Sequence, residues 1–137
     1  MLPFEFIVAG PPVSYQTRKR ARLQAWVATV RNEAARYWPP GQPPATGRLK
    51  ITVVYYHDAV SVRVDNDNML KPIQDALQGI VYVNDFQVTD TSVRKTNLDG
   101  LFAVRGMSRV LAEGFCRGVE FLYIKVEDAP DHMRILS

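Results

Sequence analysis

Apolar positions along this chain recur with two different periods, and each period predicts an element. Phe4 to Ala9 reads as a short strand, closed by Gly10-Pro11-Pro12, a punctuation that suits neither a helix nor a central strand. Between Gln16 and Trp38 the residues Leu23, Trp26, Val27, Val30, Ala34 and Tyr37 recur at spacings of three and four. They predict a long helix with one buried stripe and with Arg20 and Arg31 on its polar side. Pro39-Pro40-Gly41 ends that helix, and four prolines and two glycines between Pro39 and Gly47 make the stretch a surface loop. The period then changes to two: Leu49, Ile51, Val53, Tyr55 and His57 alternate with Lys50, Thr52, Val54 and Tyr56, which predicts a strand.

Met69, Leu70, Ile73, Ala76 and Leu77 form the apolar face of a second helix over roughly Asn68 to Gln78, ended by Gly79. Pro72 fits near its start, where a missing amide costs least, so Asp67 or Asn68 is the expected cap. Ile80 to Val83 and Val88 to Asn97 read as two strands flanking an Asn84-Asp85 turn, which predicts a hairpin. Val104, Met107, Val110, Leu111 and Phe115 have helical spacing, giving a third helix over Leu101 to Gly118, and Val119 to Val126 gives a closing strand. The order is that of an α+β fold: a single small domain over 1–137, with a mixed sheet and two main helices.

A chain of 137 residues that is 47% hydrophobic can bury one core, and its length gives no reason to expect two. Cys116 is the sole cysteine, so an intrachain disulfide and a cysteine-based zinc site are both excluded, as suits a reducing compartment and a cytoplasmic location. The longest apolar runs, such as Ile51 to Tyr56, are far too short to span a membrane. Met1-Leu2-Pro3-Phe4-Glu5 also lacks the charged start of a signal peptide, so no membrane partner is expected.

Net charge is only +3, but it is unevenly distributed. Tyr15 to Trp38 carries six basic residues against Glu33 alone, whereas Asp58 to Asp99 carries seven acids against Arg63, Lys71, Arg94 and Lys95. A basic surface beside an acidic pocket suits a metal-using enzyme that acts on a polyanion.

The run Val64-Asp65-Asn66-Asp67-Asn68-Met69-Leu70-Lys71, followed by Asp75, carries most of the chemistry. On an extended approach to a helix, Asp65 and Asp67 point the same way, and like charges placed together call for a cation between them. Oxygen donors of this kind favour magnesium, manganese or calcium over zinc. The competing reading is a polar loop that caps the helix and meets water. An EF-hand is excluded, because Met69 and Leu70 stand where a calcium loop needs a ligand and a glycine. Lys71 is either a phosphate-facing cation or one half of an i,i+4 ion pair with Asp75.

Asp65-Asn66-Asp67-Asn68, then Lys71, then Asp75-Ala76-Leu77, and finally Asp85 resemble the signature of the RusA family of Holliday junction resolvases, DxDNxxKxxxDAL followed by an acidic pair. Pro11-Pro12-Val13-Ser14 and the long basic helix are similar to that family too, so the resemblance runs from about Phe4 to Lys95, and the last strand is expected to match as well. It implies a dimeric, Mg2+-dependent endonuclease, with Mn2+ as the alternative metal, that makes paired symmetric incisions in four-way DNA junctions during recombination and repair. Carried over by motif, Asp65, Asp67 and Asp85 are the metal ligands, Lys71 the catalytic lysine, and Asp75 and Asn68 supporting residues. The chain departs from the family at its acidic pair, which is here Asn84-Asp85.

Arg18, Lys19, Arg20 and Arg22, at the entry to the first helix, are expected to grip phosphates without regard to base sequence, the alternative being a solvated helix end. Arg63, Arg94 and Lys95 would extend that track. Tyr15, Tyr82 and Phe86 are candidates for stacking on unpaired bases, although an aromatic beside a strand is more often core. His57 and His132 lack metal-ligand spacing, and no Walker loop, dinucleotide fingerprint or serine elbow is present. Two further readings stay open: a DNA-junction-binding protein with weak or no cleavage, and a nuclease for other branched DNA such as flaps or forks.

Overall fold

The computed structural model describes residues 2–58, 63–98 and 107–135. Its centre is a four-stranded mixed sheet in the order β1-β4-β2-β3. The strands are β1 (Phe4–Ala9), β2 (Leu49–His57), β3 (Val88–Asn97) and β4 (Phe121–Asp128). β4 runs antiparallel to both β1 and β2, while β3 runs parallel to β2 at the edge. Three helices, α1 (Arg20–Tyr37), α2 (Asn66–Leu77) and α3 (Arg109–Cys116), cover the sheet, and a short α4 (His132–Ile135) follows it.

Alternation along β2 serves two cores. Leu49, Ile51, Val53 and Tyr55 join Phe4, Phe6, Leu122 and Ile124 beneath α1 and α2. Val54 and Tyr56 face the other way, with Ile7, Phe121 and Tyr123, and Val110, Leu111 and Phe115 around α3 cover them. The stripe predicted for α1 is buried at Trp26, Val30 and Ala34, but its last member, Tyr37, is exposed. Full burial of such side chains stabilises by about 1.5–3 kcal/mol each, which makes the α1/α2 face the main source of stability.

The predicted hairpin is not formed. Ile80 to Val83 is no strand: Gly79, at a φ of 88° that favours glycine, turns the chain back under the end of α2. The amides of Ile80 and Val81 both donate to Leu77 O, at 3.1 and 3.0 Å, and that of Gly79 donates to Tyr82 O at 2.7 Å. Val81 and Tyr82 are thereby driven fully into the core, and this accounts for the apolar run. β2, α2 and β3 form a crossover between parallel strands. The third helix is shorter than the predicted 101–118, beginning at Arg109 behind a Ser108 cap; 101–106 lie outside the described residues.

Candidate metal centre and DNA-facing surface

α2 begins two or three residues earlier than the sequence pattern indicates, so its N-cap is Asp65, in place of Asp67 or Asn68. Asp65 makes no side-chain capping bond, which leaves its carboxylate uncommitted at the positive end of the helix. The head of the helix is anchored to β3: Asn66 Nδ2 donates to Val93 O at 3.2 Å, and Lys95 Nζ donates to Val64 O at 2.8 Å. The earlier start also moves Pro72 further into the helix, beyond the first turn where it was expected. A proline there strips the carbonyl four residues back, that of Asn68, of its helical donor. The amide of Tyr15 supplies the missing bond at 2.9 Å, so the segment between β1 and α1 is fastened to α2 by the defect the proline creates.

On the outer face of α2, Asp67, Lys71 and Asp75 follow one another at helical spacing of four. Lys71 Nζ lies 2.9 Å from Asp75 Oδ1 and 3.2 Å from Asp85 Oδ2. The Asp75 bond is the main reason its ammonium is held above the ordinary lysine value, with Asp85 adding to it and partial burial opposing. The pairs are solvent-accessible, so each contributes well under about 1 kcal/mol to stability. Of the two readings of Lys71, the ion pair with Asp75 is formed, and the same ammonium also bridges to Asp85 before β3. Among the described residues Asp65 and Asp67 have no ion pair or side-chain hydrogen bond, and no three His, Cys, Asp or Glu side chains stand together so as to hold a metal ion. The donor chemistry fits a hard divalent cation, since every candidate ligand is a carboxylate oxygen. In this arrangement, however, Lys71 engages Asp85, while Asp65 lines a groove with Asn68 and the segment before α1.

Asp85 opens a 3-10 turn, Asp85–Gln87, that is bonded on every side. Asn84 Oδ1 accepts from the amide of Phe86 at 2.9 Å, making residue 84 the cap of the turn and occupying the oxygen that would otherwise be free to bind a cation. Gln87 Oε1 accepts from the amides of Val83 and Asn84, both at 2.9 Å. Gln87 Nε2 donates to Ala45 O and Gly47 O at 2.8 and 2.9 Å, and Gln78 Oε1 accepts from the amide of Asp85 at 3.3 Å. From α1, Arg31 donates to Ala76 O and Gln78 O at 3.1 and 2.9 Å, placing a cation on the C-terminal carbonyls of α2. Sequence reasoning missed Gln78 and Gln87; it placed Arg31 only on the polar side of the first helix and Tyr15 only among the stacking candidates, not in these bonding roles. Only Gln87 left a signal there, the Asn84-x-x-Gln87 spacing of a capping box.

The groove beside Asp65 has a volume of about 410 Å³ and runs along Pro12 to Thr17, with Arg22, Arg63 and Asn68 completing its wall. Arg22 and Arg63 thus share a groove with Asp65. Arg18 and Lys19 are exposed just before α1, and Arg20 sits 5.8 Å over the ring of Tyr15. Arg94 and Lys95 do not form one track. As neighbours on a strand they point to opposite faces: Lys95 lies on the α2 side, whereas Arg94 pairs in register with Val54 on the α3 side. Of the stacking candidates, Tyr82 is excluded, being fully buried with its hydroxyl on Gln74 O at 2.6 Å. Tyr15 is half-buried, and Phe86 is 89% exposed. His57 is buried at the end of β2, and His132 Nε2 lies 2.7 Å from Asp90, so both are placed structurally.

Residues 9–102, more than two-thirds of the chain, match the family profile described as Endodeoxyribonuclease RusA. The chain belongs to the RusA family. No match is found among curated proteins. The RusA span takes in α1, the groove wall, α2, the Asp85 turn and β3, which are the elements that carry the acids and most of the basic residues; β4 lies outside it. The family is one of endodeoxyribonucleases. Within the matched span, Arg22 and Arg63 line the same groove as Asp65. No helix among the described residues is long and apolar enough to cross a membrane.

Proposed function

We propose that this RusA-family protein resolves four-way DNA junctions by paired symmetric incisions, acting as a two-fold dimer in recombination and repair in the cytoplasm. Symmetric cuts need two related sites, which a two-fold dimer provides. Asp65, Asp67 and Asp85 are the ligands of a divalent cation, Mg2+ or Mn2+. When bound, such a cation lowers the pKa of water and neutralises charge on the phosphate under attack.

The observation that carries this reading is the position of Lys71: one ammonium spans Asp75 and Asp85 on the face that also bears Asp67. In the cleaving state Asp85 turns from Lys71 toward Asp65 and Asp67, and Asp75 retains the ammonium and directs it at the scissile phosphate. Asn68 stays anchored through Tyr15 and keeps the groove wall in place. Arg18, Lys19, Arg20, Arg22 and Arg63 hold the flanking backbone, with Lys95 bracing the head of α2. Arg94, on the far face, is assigned no contact at this site.

Asp67→Asn tests the assignment. It is expected to abolish cleavage of a labelled four-way junction while retaining binding, and cutting at the wild-type rate would overturn the ligand set. A second reading, a junction-binding protein with little or no cleavage, draws support from the Lys71–Asp85 contact and from the use of Asn84 as a cap. Incubating the junction with and without magnesium separates the two, since binding with no product in either condition favours the second. A panel of flaps and forks decides whether other branched DNA is the preferred substrate.

A further inference from the structure

Phe86 is the most exposed large apolar side chain among the described residues, at 89%, and it directly follows Asp85. A phenyl ring left in water needs an explanation when its backbone is this firmly held. The turn that carries it is capped by Asn84 and clamped by Gln87 to the loop at Ala45 and Gly47, so the ring is presented on a fixed support at little entropic cost. Val83, at 56%, adds a second exposed apolar group to the same turn.

We propose that Phe86 is a specificity-determining residue that stacks on an unpaired or unstacked base next to the scissile phosphate, and so makes the enzyme prefer branched over regular duplex DNA. The proposal rests on the nuclease reading of Asp85. A regular duplex offers a protein mainly phosphates and sugars, together with base edges in its grooves, and a phenyl ring gains little from the charged backbone. A branch point exposes base faces, and every base has a π-face that an aromatic ring can cover whatever the sequence. The Arg and Lys contacts grip backbone of any shape, whereas Phe86 responds to the loss of stacking.

The test compares wild type, Phe86→Ala and Phe86→Trp in EDTA at fixed salt. Each is titrated against a four-way junction carrying 2-aminopurine at the branch and against a linear duplex of the same sequence. Phe86→Ala is expected to lose about 5- to 150-fold in junction affinity, the effect of removing one base–aromatic stack. Its duplex affinity should stay within roughly twofold of wild type, a change that counts as negligible beside a lost stack. Phe86→Trp should keep the junction affinity and the 2-aminopurine response. Equal loss on both substrates, or no loss on either, overturns the proposal. So does a change in sedimentation of Phe86→Ala, which would make the ring a subunit contact. If wild type itself binds junction and duplex alike, the branched-DNA reading falls and this proposal with it; wild-type preference that survives in Phe86→Ala sinks the proposal alone.

Discussion

Gln87→Ala removes four hydrogen bonds at once: two that Oε1 accepts from Val83 and Asn84, and two that Nε2 donates to Ala45 and Gly47. A neutral hydrogen bond contributes about 0.5–1.5 kcal/mol net, and water can replace much of what is lost at exposed positions, so the stability cost is about 2–4 kcal/mol. For a chain of this length that corresponds to a fall in Tm of roughly 6–16 °C. Activity should suffer as well, because these bonds set where the Asp85 carboxylate stands, and a displacement of about 1 Å in a reacting group can cost on the order of 100-fold in rate. Thermal unfolding followed by circular dichroism gives the first quantity. Single-turnover junction cleavage, measured well below both melting points, gives the second. A variant that melts within a degree or two of wild type would refute the energetic reasoning; one that melts lower but cuts at the wild-type rate would show that the clamp does not position Asp85.

Gly114→Ala should destabilise the fold by up to about 2 kcal/mol without changing cleavage measured below the melting point: the added methyl would lie 2.4 Å from the buried Phe121 ring, and overpacking at about 1–3 kcal/mol outweighs a helix-propensity gain of about 1 kcal/mol. That ring cannot easily yield, since it stacks on Tyr56 at 4.9 Å and meets Phe115 edge-on at 5.4 Å. Pro72→Ala restores a helical donor for Asn68 O and so competes with the Tyr15 amide; Tm should hold or rise while junction affinity falls, and unchanged affinity would show that this bond does not hold the groove wall. The phenols of Tyr55, Tyr82 and Tyr123 are pushed above their ordinary value near 10, first by burial, with Glu120 and Glu5 reinforcing the shift at Tyr55 and Tyr123. Raised folded values mean that their contribution is complete below pH 10 and lost as pH climbs toward those values, so an ultraviolet titration should show these tyrosinates forming together with unfolding.

β1 and β2 were legible from sequence to the residue, because strand alternation bounded by Gly-Pro punctuation has few competing readings. The second helix was legible through its apolar face, but its head was not. The cap at Asp65 is decided by two bonds between the helix head and β3, from Asn66 to Val93 O and from Lys95 to Val64 O, which no local pattern reveals. Ile80 to Val83 was mistaken for a strand because a short apolar run reads the same whether it pairs in a sheet or plugs the end of a helix; Gly79 and the depth of Tyr82 settle the matter only in three dimensions. The separation of Arg94 from Lys95 was available in principle from the period of a strand. The acids and Lys71 stand out by motif, but that Lys71 bridges to Asp85 depends on the path of the crossover, which a hairpin reading of 80–97 obscures.

Connections rich in proline and glycine usually tolerate changes in length. The loop before β2 should divide in this respect. Around Gly41 the backbone is exposed and a Cβ there would meet nothing, so inserted residues should be absorbed. From Ala45 to Gly47 the same loop lends its carbonyls to Gln87 and its Ala45 amide to Val81, so a single added residue there would slide the register of the turn that carries Asp85. A segment that resembles a spacer thus acts as a ruler, and homologous chains grafted together at this point should be joined on its proline side.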